Sequence, residues 1–138
     1  MLGNQIIGAQ FQHLQFNRHE FSHMVRACLE GIAFSLVYGI RCMQELGVDP
    51  NTLKAGNDNM FQSEIFSDTI ATLTNTEIQL KETSGAVGAA IGAGFGAGIF
   101  SNLKEAFSSE KIEKTHRANA SHKDELEEAY EKWKSYLK

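Results

Sequence analysis

Between Phe21 and Leu46 apolar side chains recur at intervals of three and four without a break: Phe21, Met24, Val25, Cys28, Leu29, Ile32, Leu36, Val37, Ile40, Met43 and Leu46. That spacing marks one face of an α-helix. The run stops at Gly47, a residue suited to the left-handed turn after a helix, and Pro50 stands just beyond. Upstream, Asn17-Arg18-His19-Glu20 has the letters of a capping box, so the helix is expected to begin there. The predicted length is roughly 28 residues, against a usual helix of about 11 to 12. Such a helix needs a large surface to lie against.

The remaining segments supply that surface. Residues 5–15 alternate loosely, with Ile7, Ala9 and Phe11 on one side, and predict a strand. Residues 52–55 read as a short strand and residues 56–59 as a turn, and Phe61, Ile65, Phe66, Ile70 and Leu73 mark a second helix. Residues 76–81 alternate as a strand, and residues 84–100 form a helix of glycine and alanine. Strand and helix therefore take turns, which is the pattern of an α/β sheet with crossover helices. From Ser108 the chain becomes strongly charged. Leu126, Ala129, Tyr130, Trp133, Tyr136 and Leu137 form one apolar stripe on residues 123–138, an amphipathic helix expected to dock on the domain by that stripe.

Composition narrows the function classes. The 138 residues include 42% hydrophobic and 22% charged side chains and one proline, the profile of a single soluble globular domain. A net charge of -4 gives no basic field to draw the chain to nucleic acid or anionic lipid, so neither is an expected partner. Cys28 and Cys42 are too few for a disulfide framework, and the helix would hold them roughly 21 Å apart. They read as buried thiols of a reducing compartment. Asn4, Gln5, Gln10 and Gln12 interrupt any signal-peptide core, and the expected location is cytoplasmic. The uncharged stretch 83–102, with six glycines, has an apolar centre short of the roughly 20 residues that cross a bilayer. Lys123-Asp124-Glu125-Leu126 spells a retrieval signal away from the C-terminus, and Asn119-Ala120-Ser121 is a sequon without secretory context.

Two features suggest a ligand site. Leu53-Lys54-Ala55-Gly56-Asn57-Asp58-Asn59 is a strand turning on glycine into a helix, which brings backbone N–H groups to the sheet edge where open α/β sheets bind ligands. The same letters also serve as a plain turn and cap, with Asp58 available to cap the helix. The second feature is the run from Ser84 to Gly96. Each glycine inside a helix costs about 1 kcal/mol relative to alanine, so close approach of something else is expected. Ser84, Gly88 and Gly92 at four-residue spacing give a bare face for another helix or a flat ligand. Gly92-Ala93-Gly94-Phe95-Gly96-Ala97 has the letters of a dinucleotide fingerprint but does not follow its strand directly, which argues against a Rossmann site. His19 and His23 form an i, i+4 pair better suited to capping or polar contacts than to a metal. No nucleophile stands with a base, and no catalytic residue is assigned.

In this order the segments resemble the C-terminal part of the FGGY family of carbohydrate kinases. Gly8-Ala9-Gln10-Phe11 and Arg26-Ala27-Cys28-Leu29-Glu30-Gly31-Ile32-Ala33-Phe34 are similar to the family's Arg-Ala-x-x-Glu-Gly-x-Ala-Phe helix. Ala55-Gly56-Asn57-Asp58-Asn59, with its helix running to Ser67-Asp68, is similar to the family's adenosine motif, a glycine triplet and a helix ending in Ala-Asp. Only Gly56 stands for the triplet. Gly85-Ala86-Val87-Gly88-Ala89-Ala90 is similar to the small-residue helix beside the adenine.

The resemblance implies part of an actin/hexokinase-like (ribonuclease H-like) ATPase lobe: residues 1–107 from the nucleotide-binding domain, and residues 108–138 as a charged helical extension. It implies ATP or ADP as ligand, with Mg²⁺ in the complete enzyme, and adenosine against Gly56, Asn57, Asn59, Gly85 and Ala86, where Asn59 would meet the adenine edge. The aspartate base, the phosphate-binding hairpins and the sugar contacts would belong to chain before residue 1, so the chain is expected to be a C-terminal piece. Its uncovered apolar surface is expected to drive self-association, a homodimer included. The rival expectation is a non-catalytic α/β interaction or scaffold module that uses the glycine and alanine helix for assembly.

Overall fold

The computed structural model describes residues 8–107 and 111–137. Its helices are α1 (Phe21–Glu45), α2 (Glu64–Thr74), α3 (Gly85–Gly96), the single turn α4 (Leu103–Ala106) and α5 (Lys123–Ser135). Its strands are β1 (Thr52–Gly56), β2 (Glu77–Lys81) and β3 (Ile112–His116), in the order β1-β2-β3. β1 and β2 run parallel, joined through α2, with Thr52 opposite Glu77 and Gly56 opposite Lys81. β3 runs antiparallel to β2, with Ile78 opposite His116 and a register shift between Leu80 and Lys81. The α/β class expected from the sequence is the class observed.

α1 spans 25 residues and ends as its sequence predicts. Gly47 takes a φ of 83°, its N–H reaches the Gln44 carbonyl at 2.9 Å, and the Val48 N–H reaches the Met43 carbonyl at 3.0 Å. This crossed pair of bonds is the Schellman ending. The start lies further along than Asn17. The Glu20 N–H donates to His23 Nδ1 at 3.1 Å, so a histidine does the work expected of the Asn17 box. By length and composition α1 could cross a membrane. Here one face packs: Ala33, Phe34, Val37 and Ile40 join Phe66, Ile70 and Leu73 of α2 in the core.

α2 is preceded by a 3₁₀ turn, Asn59–Gln62, and capped by Ser63, whose hydroxyl accepts from the Phe66 N–H at 3.4 Å. Asp58 makes no capping bond, which corrects its expected role. The helix ends on Asn75 in the left-handed conformation, φ 52°, which asparagine tolerates.

Two expectations fail. Residues 8–15 form no strand, because no neighbouring strand lies beside them among the described residues, and residues 5–7 lie outside those described. Cys28 is exposed, since nothing covers α1 on that side, and Cys42 is half-buried. The charged segment beyond residue 111 proves to hold the third strand as well as a helix. In β3, Lys114 Nζ pairs with Glu64 at 2.7 Å and the buried His116 Nδ1 with Asp68 at 2.5 Å, both on α2.

α5 docks by the predicted stripe. Tyr130 is buried in the core, with Leu126, Ala129 and Trp133 partly buried beside it. Arg41 of α1 ties the helices together. Its guanidinium makes a bidentate pair with Glu127 at 2.8 and 2.7 Å, donates to the Leu73 carbonyl at 2.9 Å, and lies 4.5 Å from the centre of the Tyr130 ring.

The hydrogen bond from Arg41, and then its charge, hold the Glu127 carboxyl below the usual carboxylate range, although burial raises it. A depressed folded-state value means stability that is present at neutral pH and lost as pH falls through the acid range. Glu127 is more than a third exposed, so after screening by water the pair is worth about 0.5 kcal/mol. Glu127→Gln is expected to lower stability to urea by that much at neutral pH, and the gap should begin to shrink at the ordinary carboxylate value and close as pH falls through the lower folded-state value.

Candidate functional site

β1 and β2 are parallel neighbours, so the loops that leave their C-terminal ends emerge side by side. The Asn57 N–H donates to the Lys81 carbonyl at 2.9 Å, which carries the ladder one residue past β1. At this level Gly56 lies so close to the loop after β2 that a Cβ would collide with the Thr83 carbonyl oxygen. Glycine is required here by space alone. The contact brings the turn after β1 against the start of α3, and a cleft of about 400 Å³ opens between them.

Leu53, Ala55, Phe61 and Phe107 give this cleft apolar walls, while Lys54, Lys81, Asp58, Thr83 and Ser84 supply polar groups. Phe61 is held by Phe66 in an edge-to-face contact, with centroids 5.3 Å apart. Lys81 is 4% exposed and lies at the end of β2. Thr83 Oγ1 is buried without a hydrogen-bond partner among the described residues. At the start of α3 the Ser84 hydroxyl accepts from the Val87 N–H at 3.4 Å. Gly85 and Gly88 border the cleft, and a Cβ at either would meet nothing within 4 Å. The same is true of Gly92, so among the described residues nothing packs on the bare face of α3 at these positions.

Gly56, Asn59 and Gly85 thus line one cleft, and Asn59 takes a φ of 50° at its rim. Asn57 and Ala86 are absent from the lining. The Asn57 side chain turns to β3, where its amide donates to Glu113 at 2.6 Å, and Ala86 is exposed on α3. The sequence reading missed Lys54, Lys81, Thr83 and Phe107. The strand pattern of residues 76–81 held the signal for Lys81, which ends the strand that leads into the glycine helix.

The cleft fits a flat, apolar-faced group with polar edges. Gly85 and Gly88 leave room that a side chain would fill, and Thr83 Oγ1 offers an unused bond. Among the described residues no group of three histidine, cysteine or carboxylate side chains could hold a metal. His19 and His23 instead accept backbone bonds, His19 Nδ1 from Gln15 at 3.0 Å.

A second groove, about 460 Å³, runs between α1, α2 and α5. Its charges satisfy one another: Arg26 with Glu30 at 2.7 Å, Glu64 with Lys114, and Asp68 with His116. That leaves little to orient a ligand.

The contrast between Gly56 and the open glycines of α3 is measurable. Gly56→Ala is expected to destabilise the chain by about 1–3 kcal/mol in urea unfolding, because the new methyl forces two loops apart. Gly92→Ala should stabilise it by up to about 1 kcal/mol through helix propensity.

No family model matches the chain, and no curated protein matches it in sequence. Solved structures do match it, among them a xylulose kinase from Rhodospirillum rubrum, with a TM-score of 0.76 and 19% sequence identity. The match covers 96% of this chain and 27% of that one. The chain therefore has the fold of part of a xylulose kinase and spans about a quarter of that enzyme's length.

Proposed function

We propose that the chain is the nucleotide-binding C-terminal part of an ATP-dependent sugar kinase, and that the cleft between Gly56 and Gly85 receives the adenosine of ATP or ADP. The observation that carries this reading is the juxtaposition itself. Residues that resemble two separate nucleotide motifs, far apart in sequence, border one cleft of nucleoside size. The fold likeness to a xylulose kinase supports it, although fold by itself does not assign function.

In this reading the glycine face at Gly85 and Gly88 takes the flat side of the base, and Phe61, Leu53 and Ala55 exclude water below it. Thr83 Oγ1 and Asn59 bond its polar edge. Lys54 on the cleft wall supplies a cation that suits a ligand carrying phosphates. Bound ATP, with Mg²⁺, supplies the phosphoryl group. The complete enzyme passes it to a sugar hydroxyl, with D-xylulose the proposed acceptor and D-xylulose 5-phosphate the product, in a cytoplasmic setting. Such catalysis is mainly positioning and charge stabilisation. This chain's share is to orient the nucleoside. The base that activates the hydroxyl, and the sugar contacts, lie in the other lobe, and this chain alone is not expected to turn over.

Calorimetric titration with ADP tests the reading. The chain should bind ADP weakly, and Gly88→Val, at a position where a Cβ meets nothing within 4 Å, should abolish the heat while leaving the urea midpoint in place. Binding that is undisturbed by Gly88→Val would reject the cleft. Absence of any nucleotide binding by the native chain would favour the scaffold module.

A further inference from the structure

The turn after β1 keeps its shape with little help from the core. No residue from 57 to 62 is fully buried, and Asn59 at the rim of the cleft takes a left-handed φ of 50°. What holds the turn is a set of bonds that meet at Asn57. Its N–H donates to the Lys81 carbonyl at 2.9 Å, its carbonyl accepts from Gln62 Nε2 at 3.1 Å, and its side-chain amide donates to Glu113 Oε2 at 2.6 Å. The first bond extends the ladder and the second closes the turn on itself. The third passes the end of β2 to reach β3, which lies two strand spacings, roughly 10 Å, from β1.

An irregularity in β3 places Glu113 for this bond. Pairing between β2 and β3 steps evenly from Ile78 with His116 to Leu80 with Lys114, and then Lys81 pairs with Ile112. Glu113 is the residue left over. One extra residue on one strand is a β-bulge, a device that re-aims a side chain and recurs beside binding sites. Glu113 is exposed and does not line the cleft, so by contact it can reach a ligand only through Asn57.

Resting on the adenosine reading of the cleft, we propose that Glu113 is a positioning residue of the nucleotide site: from the bulge in β3 it fixes Asn57 and so holds Asn59 where it meets the edge of the base. The charged segment beyond residue 111 then completes the site and does not merely follow it. The bond is charge-assisted but open to water, so its loss should weaken ligand binding by a factor of about three to ten.

Calorimetric titration of the full chain with ADP, beside amide hydrogen exchange of the unliganded chain, tests the role. Glu113→Ala and Glu113→Gln both remove the charge, but only Glu113→Ala removes the acceptor. Glu113→Ala should weaken ADP binding about three- to tenfold and speed exchange at residues 57–59, with the urea midpoint almost unmoved, while Glu113→Gln should stay within about twofold of the native chain. Added to Asn57→Ala, Glu113→Ala should cost nothing further, because the two act through one bond. Native binding that Glu113→Ala leaves unchanged overturns the role, as does tighter binding by both variants, which would make the carboxylate only a repulsive charge, or a full further loss in the Asn57→Ala background. A native chain that binds no ADP is a separate failure: it rejects the adenosine reading, and the positioning role falls with it.

Discussion

The contact between Gly56 and the carbonyl of Thr83 sets the distance between the two parallel strand ends, and the candidate site follows from it. Parallel strands bring their C-terminal ends to one edge. How closely the following loops approach depends on what side chain, if any, stands between them. With none at residue 56, the turn after β1 seats directly on the start of α3. The cleft then has one wall from the first loop, carrying Asn59 and Phe61, and one from the glycines of the second.

Behind that edge the sheet is narrow and depends on helices for cover. α2 links β1 to β2 and buries Phe66, Ile70, Ala71 and Leu73 against α1 and the sheet. Arg41 then locks α1 and α5 to the carbonyl end of α2, with Tyr130 beneath its guanidinium. α3 is treated differently. Of its residues only Gly94 is buried, against Phe100, so this helix is anchored at its start and near its end and presents its glycine face outward.

Much of this was legible in the letters. The end of α1 at Gly47, the alternation of β2 and the start of α3 beside Ser84 each rest on local chemistry, and each appears where the sequence puts it. β3 was not legible, because its side chains Glu113, Lys114 and His116 are polar and find partners in Asn57, Glu64 and Asp68, all distant in sequence. An edge strand with charged residues carries little hydrophobic signal. Residues 8–15 failed for the converse reason: strand-forming letters need a neighbouring strand. At the site, the approach of Gly56 and Gly85 to a shared cleft was readable from motif order. That Asn57 turns away to Glu113, and that a lysine lies buried at residue 81, depended on packing no local pattern reports.

We propose that one crevice, made by two loops far apart in sequence, holds a nucleoside. Amide chemical shifts of the isotope-labelled chain during an ADP titration test it most directly. Residues 56–59 and 83–88 should move together along one binding curve while the amides of α5 stay still. Shifts that are absent, or that centre on Arg26, Glu64 and His122 in the other groove, would contradict it.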